Sequence, residues 1–329
     1  MDFLLDSMHT DLASTVEAVT GRAGGIAVAR AWSEGDREPG LTVYRQLAES
    51  GITGLLVDDA LGGSGAGAVE MVVALEQLGR VALPGPAAET LAVAPALLGA
   101  AGATDELEAL LSGDRLASVA CAPVAPRAAD PESADLYLVT ADGLFRGEAE
   151  AAQATVDPTR TVSAVTAGQR LAESIDPRAA IDLGALATAA LSLGLAAGML
   201  DIAAEYAKSR NQFGRAIGSF QAVKHHLADV AIAVEMARPL VWGAAVGLDG
   251  FGDDTADVSR DVSAAKVATG EAADVAARRA LQVLGAIGYT AEHDFSLYLT
   301  KARALRSAWG TPAWHRQRVL DSLRTEQVR

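Results

Sequence analysis

Between Leu183 and Leu200 the chain runs for eighteen residues without a charged side chain. Such a run has to leave water, either into a bilayer, which takes roughly 17–25 apolar residues, or into the interior of a protein. Its content decides between the two. Six alanines and three glycines make it weakly apolar, Asp182 and Asp201 bracket it, and no Lys/Arg-rich flank sets an orientation. The stretch is predicted to be a buried core helix, and no membrane is expected as a partner. The chain has 329 residues, half of them hydrophobic, enough for two or three subdomains rather than one overgrown core.

Apolar positions recur at helical spacing from Leu4 to Val19, and further helices are predicted over Leu41–Ser50, closed by Gly51, and Val69–Leu78. Between Ala117 and Val165 the texture changes. Prolines stand at 123, 126, 131 and 158, and Leu136–Val139 and Thr161–Val165 read as strands. From Ile181 onward helical periodicity returns, most cleanly at Val223, Leu227, Val230, Val234, Ala237 and Val241. The expected class is α+β and mostly α: an N-terminal helical domain (1–116), a shortened middle β domain (117–178) and a C-terminal four-helix bundle (179–329).

The charge balance narrows the function. Forty-two acidic against twenty-seven basic residues give a net charge of -15, so no nucleic acid is expected as a partner. The single cysteine, Cys121, has no CxxC neighbour, and the adjacent His225 and His226 diverge by about 100° on a helix, so no metal site is expected. Acids at Asp2, Asp6, Asp11 and Glu17 replace the basic start of a signal peptide, which makes the cytoplasm the expected compartment.

Two segments carry specific chemistry. Arg210-Asn-Gln212-Phe213-Gly214-Arg-Ala-Ile217-Gly-Ser-Phe220-Gln221 joins the end of one long helix to the start of the next. A plain linker needs a turn, but not an arginine, an aromatic and a glutamine at fixed offsets, a set able to pair with a pyrophosphate and pack on a nucleotide. The segment resembles the R-x-x-F-G-x-x-I-x-x-F-Q signature of the acyl-CoA dehydrogenases. Gln282-Val-Leu-Gly285-Ala286-Ile-Gly288-Tyr289 resembles the same family's Q-x-x-G-G-x-G-Y segment, with Ala286 in place of a glycine. Gly51–Gly65 is similar to the connector of the N-terminal domain. The resemblance implies FAD as cofactor and an acyl-CoA as substrate. It also implies that Arg210, Gln212, Phe213, Gln221, Gln282, Gly285 and Gly288 contact the adenosine diphosphate end of FAD across a subunit interface.

The same resemblance exposes a gap. The family removes an α-proton with a glutamate while a hydride passes to FAD. At the two positions that supply this base the chain has Trp309, in Ser307-Ala308-Trp309-Gly310-Thr311, and Gly184, in Ile181-Asp182-Leu183-Gly184. Neither accepts a proton, so no catalytic base is assigned. Asp182 is expected to cap or complement a helix N-terminus, and Trp309 either to pack in the core or to touch flavin. Of the β domain's flavin-covering features, only Asp157-Pro158-Thr159-Arg160 is similar to the family pattern. The leading expectation is therefore a base-lacking subunit, paired in a hetero-oligomer with a complete acyl-CoA dehydrogenase chain, as in actinobacterial enzymes that process steroid side-chain thioesters. The alternatives are a self-sufficient or monooxygenase-like flavoenzyme, possible as a homo-oligomer, and a flavin-free structural subunit.

Overall fold

The computed structural model describes residues 5–251 and 257–326. Six helices come first: α1 (Ser7–Arg22), α2 (Ile26–Ser33), α3 (Glu38–Glu49), α4 (Ala68–Arg80), α5 (Ala94–Ala101) and α6 (Thr104–Leu111), with a π-turn at Glu89–Val93 leading into α5. Asp6 caps α1 by accepting from the His9 N–H, and Gly51 follows α3 at φ 76°. Leu4, where the helical periodicity begins, lies outside the described residues.

Six strands follow, in the spatial order β1 (Leu116–Cys121), β3 (Ala134–Thr140), β4 (Gly143–Ala149), β6 (Thr161–Ala172), β2 (Arg127–Ala129), with β5 (Gln153–Ala154) also paired to β6. Only β1 and β3 run parallel; the other pairs are antiparallel. The strand read from Thr161–Val165 extends to Ala172, because its outer half pairs with β4 although its side chains face solvent. Thr90 fastens the sheet to the helices, its Oγ1 bonding both the carbonyl and the N–H of Ala117.

The C-terminal part is built on α7 (Pro177–Ser209), α8 (Gln221–Leu248) and α9 (Val258–Leu284), with α10 (Phe295–Leu305) and α11 (Pro312–Glu326) packed on α9. The uncharged stretch is the middle of α7, whose most apolar window is 89% buried within the protein. Its small residues let backbones meet. A Cβ on Gly194 would stand 2.0 Å from the Glu76 carbonyl oxygen, and one on Gly79 2.3 Å from that of Leu191. Helix α4 therefore lies directly on α7, an approach that no larger residue permits. Polar ties also hold α4 to α8. The Asp249 carboxylate, just past α8, accepts from the Ala68 and Val69 N–H groups at 2.6 and 3.1 Å, and Arg238 on α8 pairs with buried Glu76 on α4.

Asp182 corrects an expectation. The N-cap of α7 is Asp176, which accepts from the Arg178 N–H at 2.8 Å. Asp182 sits more than a turn further in, buried, bonded to Ser259 Oγ at 2.5 Å and paired with Arg318. It caps nothing in its own helix but ties α7 to the first turn of α9, where Ser259 lies, and to α11.

Candidate functional site

Helix α7 ends at Arg210, whose ψ of 123° turns the chain out of the helix. Strands β7 (Asn211–Gln212) and β8 (Arg215–Ala216) then form a two-residue hairpin with Phe213 at φ 51° and Gly214 at φ 77°. Positive φ at both central residues is the geometry of a type I′ turn, normally given to Asn-Gly or Gly-Gly. An aromatic there is strained, and this one is 91% exposed, its described ring contact being the edge of Phe220 at 6.1 Å. Arg210, Gln212 and Gln221 are exposed around it, and Arg215 stacks over Phe220 at 4.1 Å.

At the far end of α9, Gln282 is exposed, and Gly285 takes φ 64°, ψ -140°, a conformation open only to glycine. Nothing lies within 4 Å of where its Cβ would stand, so its backbone is accessible. Gly288 is different: it is buried, and a Cβ there would press on Leu281 and Leu284 at 2.9 and 3.0 Å. Ala286 is exposed with a negative φ, so its methyl causes no backbone strain. Helices α8 and α9 run together here through Arg279, which pairs with Asp229 at 3.0 Å and meets His226 Nδ1 at 3.3 Å, while His225 is exposed. Gln282 and His226 line one surface groove.

A separate cleft of about 710 Å³ opens between the sheet and the α10–α11 connection. Its walls include Arg127, Arg160, Arg303, Arg306 and Arg316, against one acid, Glu89. Trp309 forms part of the lining. It is buried, at φ 53°, and its Nε1 donates to Glu89 Oε1 at 3.0 Å. The ring lies on α7: a Cβ added at Gly184 would stand 2.2 Å from Trp309 Cδ2. Trp309 and Gly184, the two positions at which the family resemblance led us to expect a base, are thus in contact with each other. Arg160 Nη2 lies 3.9 Å from Glu89 Oε1, and Asp157 three residues earlier pairs with buried Lys301 at 3.2 Å. Asp130, beside Arg160, is pushed up to about 6 by burial.

The segment carrying Trp309 is pinned to α9 at both ends. Lys266 Nζ donates to the Leu305 carbonyl at 2.9 Å, and His315 bridges Ser263 Oγ at 3.1 Å and the Trp309 carbonyl at 2.9 Å. Burial pushes Lys266 down to about 7 and His315 down to about 4.

Comparison with known proteins gives the same picture over nearly the whole length. Residues 8–111 match the acyl-CoA dehydrogenase N-terminal domain and residues 177–323 the acyl-CoA dehydrogenase C-terminal domain. The chain belongs to the acyl-CoA dehydrogenase family. Among its relatives is the acyl-CoA dehydrogenase IpdE2 of Mycobacterium tuberculosis, 32% identical over 320 residues, with 96% of each chain covered. Among solved structures, the ChsE4-ChsE5 complex from Mycobacterium tuberculosis superposes with a TM-score of 0.83 at 25% identity, covering 98% of this chain and 99% of that one. Butyryl-CoA dehydrogenase from Megasphaera elsdenii shares the fold at 20% identity and a TM-score of 0.83, covering 98% of this chain and all of that one.

Within this acyl-CoA dehydrogenase fold, Glu89 is the site residue that sequence reasoning missed. A signal was present, since it is the one charged residue between Arg80 and Asp105. A lone acid in an apolar stretch needs a buried partner. The arginines of the cleft carried no such mark, because they come from four separate parts of the chain.

Proposed function

We propose that this chain is the base-lacking subunit of a heteromeric, FAD-dependent acyl-CoA dehydrogenase of the cytoplasm. In this reading it lends Arg210, Gln212, Phe213, Gln221, Gln282, Gly285 and Gly288 to FAD seated chiefly in a complete partner chain. One observation carries the reading: the bend residues are displayed to solvent while both base positions are closed by an indole resting on a glycine.

The bend fits the nucleotide end of FAD. Arg210 offers an exposed guanidinium to a pyrophosphate. Phe213, held out at a strained φ with little to pack on in its own chain, offers a face to an adenine or ribose. Gly285 lets a backbone approach that a side chain would block. Gly288 contributes by shaping the turn, being buried itself. FAD held by these residues would supply a hydride acceptor for the acyl β-carbon, and proton abstraction would fall to a base of the partner chain. This chain's residues hold and orient the cofactor.

The outer face of α8 supports a partner. Ile232, Met236 and Leu240 recur every fourth residue and are exposed, although the opposite face, Val230, Val234, Ala237 and Val241, is buried in the bundle. A helix apolar on both faces needs cover on both. The named proteins of the ChsE4-ChsE5 complex form one heteromeric precedent of this fold, and a steroid-type thioester is the substrate class that this likeness favours. A self-sufficient enzyme would need a carboxylate in the cleft. Glu89 is the one there, but its Oε1 accepts from Trp309 and faces Arg160, so it serves as an anchor for both.

The test is the visible spectrum of the chain produced alone and with a complete acyl-CoA dehydrogenase chain from the same genome. Flavin retained only on co-production is expected. Stoichiometric flavin on the solitary chain with acyl-CoA turnover refutes donation in trans, and colourless protein in both preparations refutes any flavin role.

A further inference from the structure

Behind the cleft lies a second, internal void of about 10 Å³, the room of a single water, between α4, α7 and α10. Its walls are mostly small or apolar, among them Leu83, Ala87, Leu191, Leu195 and Leu305. Cleft and void share Glu89, Arg160 and Ala308, so these residues are the partition between them. Trp309 stands at this partition, bonded to Glu89.

Three locally unfavourable features converge there. Gly184 stands inside a helix, where glycine is a poor choice, yet only a missing Cβ leaves space for the indole. Trp309 holds a positive φ, which a bulky side chain avoids. Glu89 opens a π-turn, an irregularity that inserts a residue and commonly marks a functional position. An ordinary core contact needs none of these. Each of them brings ring, floor and acceptor together.

We propose that Trp309, seated on Gly184 and latched to Glu89, is a built-in closure. It lets the arginine-walled cleft take the anionic head of an acyl thioester but keeps the acyl chain out of the α4–α7 interior. The closure sets specificity in this chain by refusal, and it leaves acyl binding to the partner. It rests on the reading above only for the choice of acyl-CoA as the ligand class. Of the five arginines around the cleft, Arg306 pairs with Asp274, Arg316 with Glu271 and Arg160 with Glu89, so the attraction for the head group falls to Arg127, bonded among the described residues only to the neutral Gln153, and to Arg303. The Arg303 side chain makes no hydrogen bond or ion pair among the described residues.

The experiment compares coenzyme A with octanoyl-CoA by isothermal titration on the full chain alone. The wild type is expected to bind the two within twofold of each other. Trp309→Ala is expected to bind octanoyl-CoA at least tenfold more tightly than coenzyme A, because the emptied indole site joins cleft to void. Circular dichroism establishes that the variant is folded. If it is not, Trp309→Phe, which keeps a ring on Gly184 but loses the latch and the second ring, is expected to prefer octanoyl-CoA at least threefold. A wild type that already prefers octanoyl-CoA tenfold overturns the closure, as does a folded variant with no preference or no binding. Flavin retention on co-production does not depend on this result, since Arg210 and Phe213 are remote in the sequence and exposed outside the cleft. The two proposals can therefore fail separately.

Discussion

Adding one methyl group at Gly184 tests whether the indole is as firmly held as its contacts imply. In Gly184→Ala the new Cβ would lie 2.2 Å from Trp309 Cδ2 and 2.5 Å from both Cε2 and Cε3. The ring has little freedom to move, since its N–H is bonded to Glu89, its carbonyl to His315 and its backbone sits at φ 53°. Overpacking of this kind costs about 1–3 kcal/mol, and tilting the ring off Glu89 adds about 1 kcal/mol for the lost buried hydrogen bond. Helix propensity returns up to about 1 kcal/mol for Gly→Ala. The net expectation is a loss of about 1–3 kcal/mol. The control is Gly270→Ala in α9, where a Cβ would meet nothing within 4 Å and φ is not positive, so the same substitution should gain up to about 1 kcal/mol. Urea unfolding followed by circular dichroism, with m held constant, measures both. A Gly184→Ala protein as stable as the wild type would falsify the seating of the ring and remove the basis of the closure.

Three other outcomes follow from the same geometry. Asp182→Ala leaves the half-buried Arg318 without its partner and should cost about 2–3 kcal/mol, whereas Arg316→Ala, which breaks the exposed pair with Glu271, should cost less than about 1 kcal/mol; equal unfolding midpoints for the two would contradict the lock assigned to Asp182. His315 has a folded pKa depressed to about 4 from 6.5, so its contribution is fully present above pH 6.5 and is lost as pH falls toward 4. This is worth on the order of 3 kcal/mol, and His315→Gln should flatten the stability profile in that window; an unchanged slope would count against a buried neutral imidazole. Arg210→Ala should weaken flavin retention in the co-produced complex roughly ten- to a hundredfold, the worth of a charge-assisted hydrogen bond of about 1.5–3 kcal/mol, and unaltered retention would exclude the guanidinium from the nucleotide site.

The sequence by itself determined the broad architecture. Helical periodicity, the alanine-rich run of α7 and the proline-marked β segment are local signals, and local signals survive in one dimension. It also determined the family, because the R-x-x-F-G and Q-x-x-G segments place specific chemistry at fixed offsets, and the resemblance singled out Trp309 and Gly184 as the residues standing where a base is expected. What it could not give was the relation between those two. They are 125 positions apart, and only the packing of the α10–α11 connection on α7 sets the ring on the glycine. The same holds for Asp182, whose spacing suggested a helix cap but whose partners come from α9 and α11, and for Glu89, whose meaning depends on an indole contributed 220 residues later. Local patterns report what a residue prefers among its neighbours in the chain. A buried charge or ring instead takes its role from whatever the fold brings against it, since the interior, unlike water, leaves no polar group or volume unanswered.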